Sequence, residues 1–416
     1  SSYTKEGNYL AAIEILEGKS VYKNNKTLKK VLLLQAIVEF KKSKFSQSSS
    51  LLKKALKINK NDFFQAYTFY WLGRSEYERN QFDSALEYFK EFKKHPDFKS
   101  VDSYKRIEYD IGYVYFKLGE YSFALKAFDN FDTQNSSFDS TYQRDTFLRK
   151  GDCSFAMKEY WSAMESYNKA IAIDERKGAY PSFQKAISYG FVDRNLKKIE
   201  TLLLLEKQYP KDPLLDDALY ELASAFSREN KFNQAIATYN RLLNKFDTSP
   251  YKAQAALNKG LILYNIERFD LAREVLENVA VTFRRYAVAQ QAVRTLREIA
   301  VDQGNVLNFS QWVRSNGLTT FTDIELEKTA FVAAEKRFLD GNSNAAERLL
   351  TEYLENYPQG IYFISATYYL GELYYEKQDF KNGQIAYSEL IKGQVNIYTC
   401  LLYTSDAADE GLGVDL

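Results

Sequence analysis

This chain of 416 residues contains few side chains that could act as a catalytic nucleophile, a general base or a metal ligand. His95 is the only histidine and lies beside Pro96, and the two cysteines are Cys153 and Cys400. A metal site or a catalytic acid–base pair needs partners, and no second histidine or cysteine stands at metal-ligand spacing. We therefore predict that His95 lies in a solvated loop. Cys153 is predicted to be a small buried filler.

Two further features also lack a catalytic setting. Asp216 and Asp217 are adjacent carboxylates, but they fall at the start of a predicted helix, where the helix dipole favours negative charge. The eighteen glycines are spread along the chain and form no phosphate-binding loop. The sequence therefore predicts a protein that is not an enzyme, with no cofactor and no metal.

Net charge and hydropathy argue against a nucleic-acid partner and against a membrane-spanning segment. Lys plus Arg total 56 and Asp plus Glu total 55, so the net charge is +1, and no basic block forms a phosphate footprint. Apolar residues make up 45% of the chain, yet no apolar run reaches the roughly 18 residues of a membrane span. We expect neither a nucleic-acid partner nor a transmembrane segment in this chain.

A repeated pattern organises most of the sequence. It starts at a small residue, here called the anchor, and continues with an aromatic residue, an alanine and a large ring. Gly73, for example, is followed by Phe82, Ala85 and Phe89, which lie nine, twelve and sixteen residues later. The anchors, at steps of 33 to 39 residues, are Ala36, Gly73, Gly112, Gly151, Gly190, Ala223, Gly260, Arg297, Ala334 and Gly371. The units of Gly190 and Arg297 are degenerate, and Arg297 departs from the small residue of the pattern. Self-similarity at such a period indicates a solenoid.

The pattern predicts antiparallel helix pairs. A small anchor lets the second helix approach closely, and the large ring fills the space beside it. Short polar stretches such as Asn80-Gln81 and Asn230-Lys231 have the length of a helix–helix turn. We therefore predict an all-α solenoid of about ten pairs over residues 1–392, with a half unit at Tyr9, Ala12 and Leu16 before the first anchor.

Trp71-Leu72-Gly73 and residues 368–375, YYLGELYY, carry the resemblance to a known family. The chain resembles tetratricopeptide repeat (TPR) proteins, which implies a right-handed superhelix that binds protein or peptide partners. The linkers at Tyr209-Pro210 and Tyr357-Pro358 resemble those of bacterial cell-envelope TPR proteins, of the Tol-Pal-associated or outer-membrane-assembly type. This implies a periplasmic or outer-membrane-associated scaffold. A cytoplasmic adaptor and the non-catalytic part of a larger enzyme are the alternatives.

The resemblance also implies where a partner binds. In TPR arrays the first helix of each pair lines a concave groove, and set offsets from the anchor point into it. The rings at these positions could instead pack as ordinary core. In the units of Gly73 and Gly112 the candidate groove residues are Tyr67, Tyr70, Arg74, Tyr77, Arg106, Tyr109, Tyr113 and Phe116.

The last residues break the pattern. Residues 393–416 are predicted to be a non-native tail, because residues 400–416, CLLYTSDAADEGLGVDL, resemble translated sequencing adapter. We expect the chain to be a fragment of metagenomic origin that is truncated at both ends.

Overall fold

The computed structural model describes residues 9–17, 26–58, 63–134, 139–318 and 320–392. These residues form α-helices, three short 3-10 helices and turns, and no β-strand occurs within the described ranges. The predicted all-α class is confirmed. The α-helices are α1 (Tyr9–Glu17), α2 (Lys26–Lys41), α3 (Phe45–Leu56), α4 (Phe63–Glu78), α5 (Phe82–Lys94), α6 (Ile107–Leu118), α7 (Tyr121–Gln134), α8 (Ser140–Ala156), α9 (Tyr160–Ile173), α10 (Ala179–Phe191), α11 (Asn195–Gln208), α12 (Leu215–Arg228), α13 (Phe232–Lys245), α14 (Lys252–Asn265), α15 (Phe269–Thr282), α16 (Ala287–Gln303), α17 (Val306–Ser315), α18 (Asp323–Leu339), α19 (Ser343–Asn356), α20 (Phe363–Glu376) and α21 (Phe380–Lys392).

The chain divides into two units, and the division falls between Ala225 and Phe226 inside α12. In unit 1, α1 is followed by the pairs α2–α3, α4–α5, α6–α7, α8–α9 and α10–α11. In unit 2, α13 is followed by the pairs α14–α15, α16–α17, α18–α19 and α20–α21. Within each unit every pair packs on the next, so the predicted stack of helix pairs is confirmed there. The predicted tail, residues 393–416, lies outside the described residues.

The anchors are points of close approach. A Cβ atom added to Gly73 would lie 2.4 Å from the ring of Phe89, and one added to Gly112 would lie 2.7 Å from the ring of Phe128. Gly151, Gly260 and Gly371 meet the side chain sixteen residues later in the same way. The predicted interlocking of a small anchor with a large side chain is confirmed at these five positions.

The turn inside each pair has one repeated conformation. The residue seven positions after the anchor has a positive φ, as at Asn80 with 58° and Gly119 with 79°. The next amide donates a hydrogen bond to the carbonyl five residues before it, as Glu120 does to Tyr115 at 2.9 Å. This bond satisfies a carbonyl that the helix end would otherwise leave unpaired.

The same turn corrects one predicted anchor. In the fifth pair the positive φ falls at Asp193, and Arg194 donates to the Tyr189 carbonyl, which places the anchor at Ala186 rather than at Gly190. Ala186 is fully buried, and so is Leu202, sixteen residues later. The choice of Gly190 was wrong, because this glycine lies one helical turn after Ala186 and takes no part in the close contact between the two helices.

The linker after α5 overturns the prediction for His95. Only 7% of this residue is exposed, and its Nδ1 accepts a hydrogen bond from the Asp97 amide at 3.2 Å. The linker forms two 3-10 helices, Phe98–Ser100 and Asp102–Arg106, with Val101 fully buried between them. His95 is buried because this linker is folded, whereas an open solvated loop was expected.

Candidate functional site

An open pocket in unit 1 lies mainly on α4, α6 and α8, the first helices of three successive pairs. Phe89 of α5 and Arg106 of the 3-10 helix before α6 complete its lining. Its volume is about 240 Å³. Its lining combines aromatic rings, two arginines and one aspartate. These residues are Arg74, Tyr77, Phe89, Arg106, Tyr109, Asp110, Tyr113 and Tyr142.

Five of the eight predicted groove residues line this pocket. They are Arg74, Tyr77, Arg106, Tyr109 and Tyr113, and all five are partly exposed. The helix face chosen from the sequence therefore faces a real cavity. That these residues bind a partner stays a prediction.

Tyr70 differs from the groove residue that was expected. Only 2% of it is exposed, and its ring packs 5.5 Å from Phe92 and 6.1 Å from Phe89, between ring centroids. Its hydroxyl donates to the Oδ2 atom of Asp110 at 3.0 Å. Tyr70 is therefore a core residue that supports the pocket from beneath, because the close approach of α4 and α5 encloses its ring.

Tyr67 and Phe116 lie outside the pocket lining. Tyr67 packs edge-on against Phe63 with ring centroids 5.0 Å apart. Phe116 packs against Tyr121 at 5.7 Å, and the guanidinium of Arg149 lies 5.9 Å from its ring centroid. Both rings are partly buried on the predicted helix face, but neither borders the cavity.

Asp110 organises one side of the pocket. Its side chain is only 7% exposed and accepts hydrogen bonds from Arg106, at 3.1 Å from Nε and 2.8 Å from Nη2. Arg74 approaches the same carboxylate at 3.8 Å. A buried carboxylate is costly unless it is paired and hydrogen-bonded, and here it has two cationic neighbours and the hydroxyl of Tyr70. The arrangement fixes Arg106 in one orientation.

Arg106 also connects two helices. Its Nη1 atom donates to the hydroxyl of Tyr142 on α8 at 3.0 Å, and its guanidinium lies 5.3 Å from the centroid of the Tyr142 ring. Tyr142 in turn packs edge-on against Tyr109 with centroids 5.1 Å apart. The pocket wall is therefore continuous from α6 to α8.

Asp145 fixes the tyrosines on the other side. It accepts a hydrogen bond from Tyr109 at 2.8 Å and another from Tyr113. Arg149 donates from Nε to the Tyr113 hydroxyl oxygen at 3.0 Å and lies 3.7 Å from Asp145. Both hydroxyls point toward α8, so the faces and edges of the two rings border the cavity.

Burial raises the pKa of these hydroxyls further above neutral pH. Burial and the neighbouring charge of Asp110 raise the pKa of Tyr70 to about 12. Burial and Asp145 raise the pKa of Tyr113 to about 12 and raise the pKa of Tyr109 as well. At neutral pH the three hydroxyls are donors, so the site offers oriented rings and N–H groups rather than a nucleophile.

Asp110, Tyr142, Asp145 and Arg149 were missed by sequence reasoning. The offsets that selected Arg106 and Tyr113 from the anchor Gly112 select Asp145 and Asp152 when they are applied to the next anchor, Gly151. Extending the same rule by one repeat would therefore have found Asp145. Asp110 and Arg149 both lie two residues before an anchor, an offset that the sequence analysis did not use.

The type of ring that packs on the anchor determines whether the residue after the anchor is engaged in a hydrogen bond or faces the pocket. Where that ring is Tyr167, its hydroxyl donates to Asp152, the residue after the anchor, at 3.0 Å. Where the ring is Tyr387, it bonds Glu372 at 2.7 Å in the same way. Phe89 and Phe128 have no hydroxyl, and the residues after their anchors, Arg74 and Tyr113, face the pocket.

The remaining chemical candidates can now be placed. Cys153 is fully buried beside Ala124 and Phe128, and burial raises the pKa of its thiol to about 12, so the predicted filler role is supported. Asp216 and Asp217 lie in the first turn of α12, as predicted. Within the described ranges no group of three or more histidine, cysteine, aspartate or glutamate side chains could hold a metal ion. The helices of the same ranges include none that is long and apolar enough to cross a membrane.

Comparison with protein-family models identifies the repeat. Models described as "Tetratricopeptide repeat" match residues 67–97, 145–177 and 220–287. The first two matches contain parts of α4 and α8, which carry pocket residues. The chain therefore carries tetratricopeptide repeats, and these support the predicted repeat family. No curated protein matches the chain.

Solved structures that are similar to this chain include TPR proteins. The C-terminal part of a TPR repeat-containing protein from Cytophaga hutchinsonii is 16% identical, with 61% of this chain and 96% of that chain covered and a TM-score of 0.47. The apo form of RapI is 13% identical, with 89% and 100% covered and a TM-score of 0.48. YrrB, described as a TPR protein with an unusual peptide-binding site, is 17% identical, with 49% and 96% covered and a TM-score of 0.38.

Proposed function

We propose that this chain, which carries tetratricopeptide repeats, is a non-catalytic scaffold that binds peptide or protein segments in the pocket on α4, α6 and α8. One observation carries the proposal. Side chains from three successive pairs border a single cavity of about 240 Å³, and aspartates beneath or beside it hold their positions. A repeat surface that presents fixed aromatic rings and arginines suits recognition of an extended segment.

Preorganisation favours binding at this pocket. The hydroxyls of Tyr109 and Tyr113 are held by Asp145, so these rings lose little conformational freedom when a ligand covers them. The pocket accepts an apolar or aromatic side chain against the rings. The peptide chain on either side would then lie along the first helices of the neighbouring pairs.

Arg74 supplies the polar contact of the proposed complex. Its guanidinium lies 3.8 Å from both Asp110 and Glu78, which is ion-pair distance but longer than a hydrogen bond. Because arginine has five N–H donors, it can still donate to a carbonyl or carboxylate group of the ligand. The proposed ligand therefore places an apolar side chain in the pocket and an oxygen acceptor beside Arg74.

A selected peptide tests the proposal. Peptides would be selected from a random display library on the purified protein, and their affinities for wild type and variants would be measured by calorimetry. Tyr77→Ala and Arg74→Ala should each weaken binding by about tenfold or more, since buried interface anchors cost about 2 kcal/mol on truncation. Tyr375→Ala in unit 2 is the matched control, because that tyrosine is 58% exposed and lies outside the pocket.

The outcomes separate binding from folding. Each variant is melted beside wild type, so that a lost fold is not read as lost affinity. Unchanged affinity in folded Tyr77→Ala and Arg74→Ala proteins would remove the pocket from the binding site. An equal loss in Tyr375→Ala would point to a different surface.

The cell-envelope location is part of the same proposal. It is supported by the Tyr-Pro linkers at Tyr209-Pro210 and Tyr357-Pro358, which resemble those of envelope TPR proteins. The test is to express the protein from its own gene with a C-terminal tag and to fractionate the bacterial cells. The proposal expects the tag in the periplasmic or outer-membrane fraction, and recovery in the cytoplasm alone would contradict it.

A further inference from the structure

A second cavity lies in unit 1, between α5, α6 and α7. Its volume is about 400 Å³, and we call it the lysine groove. Lys90, Lys93 and Lys94 of α5 and Lys126 of α7 line it, and all four are exposed. On α6 it uses Glu108, Ile111 and Tyr115, none of which lines the pocket described above. The two cavities therefore lie on different faces of the same helix.

The positive charge of the lysine groove is only partly neutralised. Lys93 pairs with Glu108, and Lys94 pairs with Glu91 at 2.8 Å. Lys90 and Lys126 make no ion pair or hydrogen bond in the part of the chain that the structure describes. Because the whole chain has a net charge of only +1, this excess is local.

The lysine groove also has an apolar part. Ile111 and Ala127 are each 5% exposed and form its inner surface. Phe123 is 56% exposed and stacks on Tyr115 with centroids 5.4 Å apart and an interplanar angle of 29°. The unpaired lysines therefore flank an exposed aromatic surface that an apolar side chain could cover.

In the next repeat, the equivalent positions carry charges that form ion pairs within the protein. The residues 39 positions after Lys90 and Lys93 are Asp129 and Asp132. Both pair with Lys150, at 2.6 Å and 3.3 Å, and Lys150 stands 39 positions after Ile111. In the lysine groove the signs on the second helix are reversed, and the position of the central countercharge is apolar. Within the described residues, Lys90 and Lys126 therefore have no countercharge of the kind that Lys150 provides one repeat later.

We propose that the lysine groove binds an acidic segment of a protein partner, with carboxylates at Lys90 and Lys126 and an apolar side chain against Phe123. A protein segment fits better than a nucleic acid because the inner surface at Ile111 and Ala127 is apolar, and an apolar side chain can cover it while a phosphate backbone cannot. The scaffold would then hold two segments at once, one in the pocket and one in the lysine groove.

Fluorescence anisotropy with a synthetic peptide of glutamate, aspartate and phenylalanine residues tests this proposal. The double variant Lys90→Glu/Lys126→Glu should weaken binding by about tenfold or more, and Phe123→Ala by a similar factor. Lys207→Glu/Lys211→Glu is the matched control, because it changes the net charge equally at exposed lysines of the same unit. Binding to wild type should also weaken as salt is raised.

The contrary outcomes are specific. Equal weakening by the control double variant would mean that the peptide senses only net charge, and it would overturn the proposal. Unchanged binding in a folded Lys90→Glu/Lys126→Glu protein, checked by its melting curve, would do the same. Tighter binding of single-stranded DNA or of vesicles containing phosphatidylserine through Lys90 and Lys126 would assign the lysine groove to a different class of partner.

Discussion

The pocket of unit 1 and a pocket of unit 2 rest on the same kind of helix pair but present different chemistry. The unit 2 pocket, of about 270 Å³, is lined by α15, α16 and α17. Leu296, Ile299, Phe309 and Trp312 give it an apolar wall, and its polar groups are mostly amides together with Arg273 and Glu277. In unit 1 the polar groups are tyrosine hydroxyls and arginines held by the buried Asp110 and the partly exposed Asp145.

The comparison distinguishes the contacts between an anchor and its ring, here called the framework, from the side chains that line the pockets, here called the surface. In both units a glycine anchor lies against the side chain sixteen residues later, as Gly112 does with Phe128 and Gly371 with Tyr387. The framework contacts are therefore alike, and the side chains that project beside them decide what each unit can bind. Substitutions at the anchors should therefore lower the stability of both units to a similar degree. Substitutions in the network of aspartates and tyrosines should affect unit 1 alone.

The largest effect is expected where surface and framework meet, at Tyr70. Tyr70→Ala should destabilise the protein by about 3–5 kcal/mol, because it removes a fully buried ring. Tyr70→Phe should cost less, about 1.5–3 kcal/mol, which is the value of a hydrogen bond to a charged group such as Asp110. Urea unfolding measures both. If Tyr77→Ala, at the partly exposed pocket ring, cost as much as Tyr70→Ala, the division between core and pocket would be wrong.

The anchors test whether the framework is shared. Gly112→Ala in unit 1 and Gly371→Ala in unit 2 should each destabilise by about 1–3 kcal/mol, because the added methyl would lie 2.7 Å from the ring of Phe128 and 2.5 Å from the ring of Tyr387. Gly383→Ala is the control within a helix, since its nearest neighbouring atom would be 3.7 Å away. That change should be neutral or stabilising by up to about 1 kcal/mol. Thermal melts that rank the three variants otherwise would contradict the close-approach argument.

Alkaline pH should reveal the buried hydroxyls of unit 1. The pKa of Tyr113 is raised from 10.0 to about 12, so below pH 10 the residue is protonated in both folded and unfolded chains. Between pH 10 and 12 the unfolded tyrosine ionises first, and stability on the order of 1 kcal/mol should be lost after allowance for its partial exposure. Tyr113→Phe should lose less over the same interval. If the unfolding free energies of wild type and Tyr113→Phe changed identically between pH 10 and 12, the pKa of Tyr113 would not be raised in the folded protein.

The smallest effects are expected at the turns inside the pairs. Lys158 and Glu267 have φ values of 64° and 59°, a conformation that costs a non-glycine residue about 1–2 kcal/mol. Lys158→Gly in unit 1 and Glu267→Gly in unit 2 should each stabilise by about 0.5–1 kcal/mol, since part of the gain is offset by glycine's greater freedom when unfolded. The reverse change, Gly341→Ala at φ 73°, should destabilise by a similar amount. Destabilisation by both glycine variants would mean that the turn is not left-handed.

Local offsets in the sequence were enough to predict the pairs. The spacing of an anchor, a turn and a large ring describes contacts inside one pair, and these lie within about twenty residues of each other. Gly112, Phe128 and the turn at Gly119 could therefore be predicted together, as could the helix face that carries Arg106, Tyr109 and Tyr113. The fifth pair failed because two small residues, Ala186 and Gly190, both stand near the expected spacing.

Contacts between successive pairs were decided by the tertiary structure. Tyr70 meets Asp110 forty residues later, and Tyr109 meets Asp145 thirty-six residues later. The contact of Tyr70 with Asp110 depends on how the folded linker after α5, which also buries His95, positions α6 against α4. A periodic pattern gives the face of a helix but not the rotation or depth at which the neighbouring pair meets it. The sequence by itself therefore determined the repeat and its candidate face, whereas packing between pairs decided which rings are core and which border the pocket.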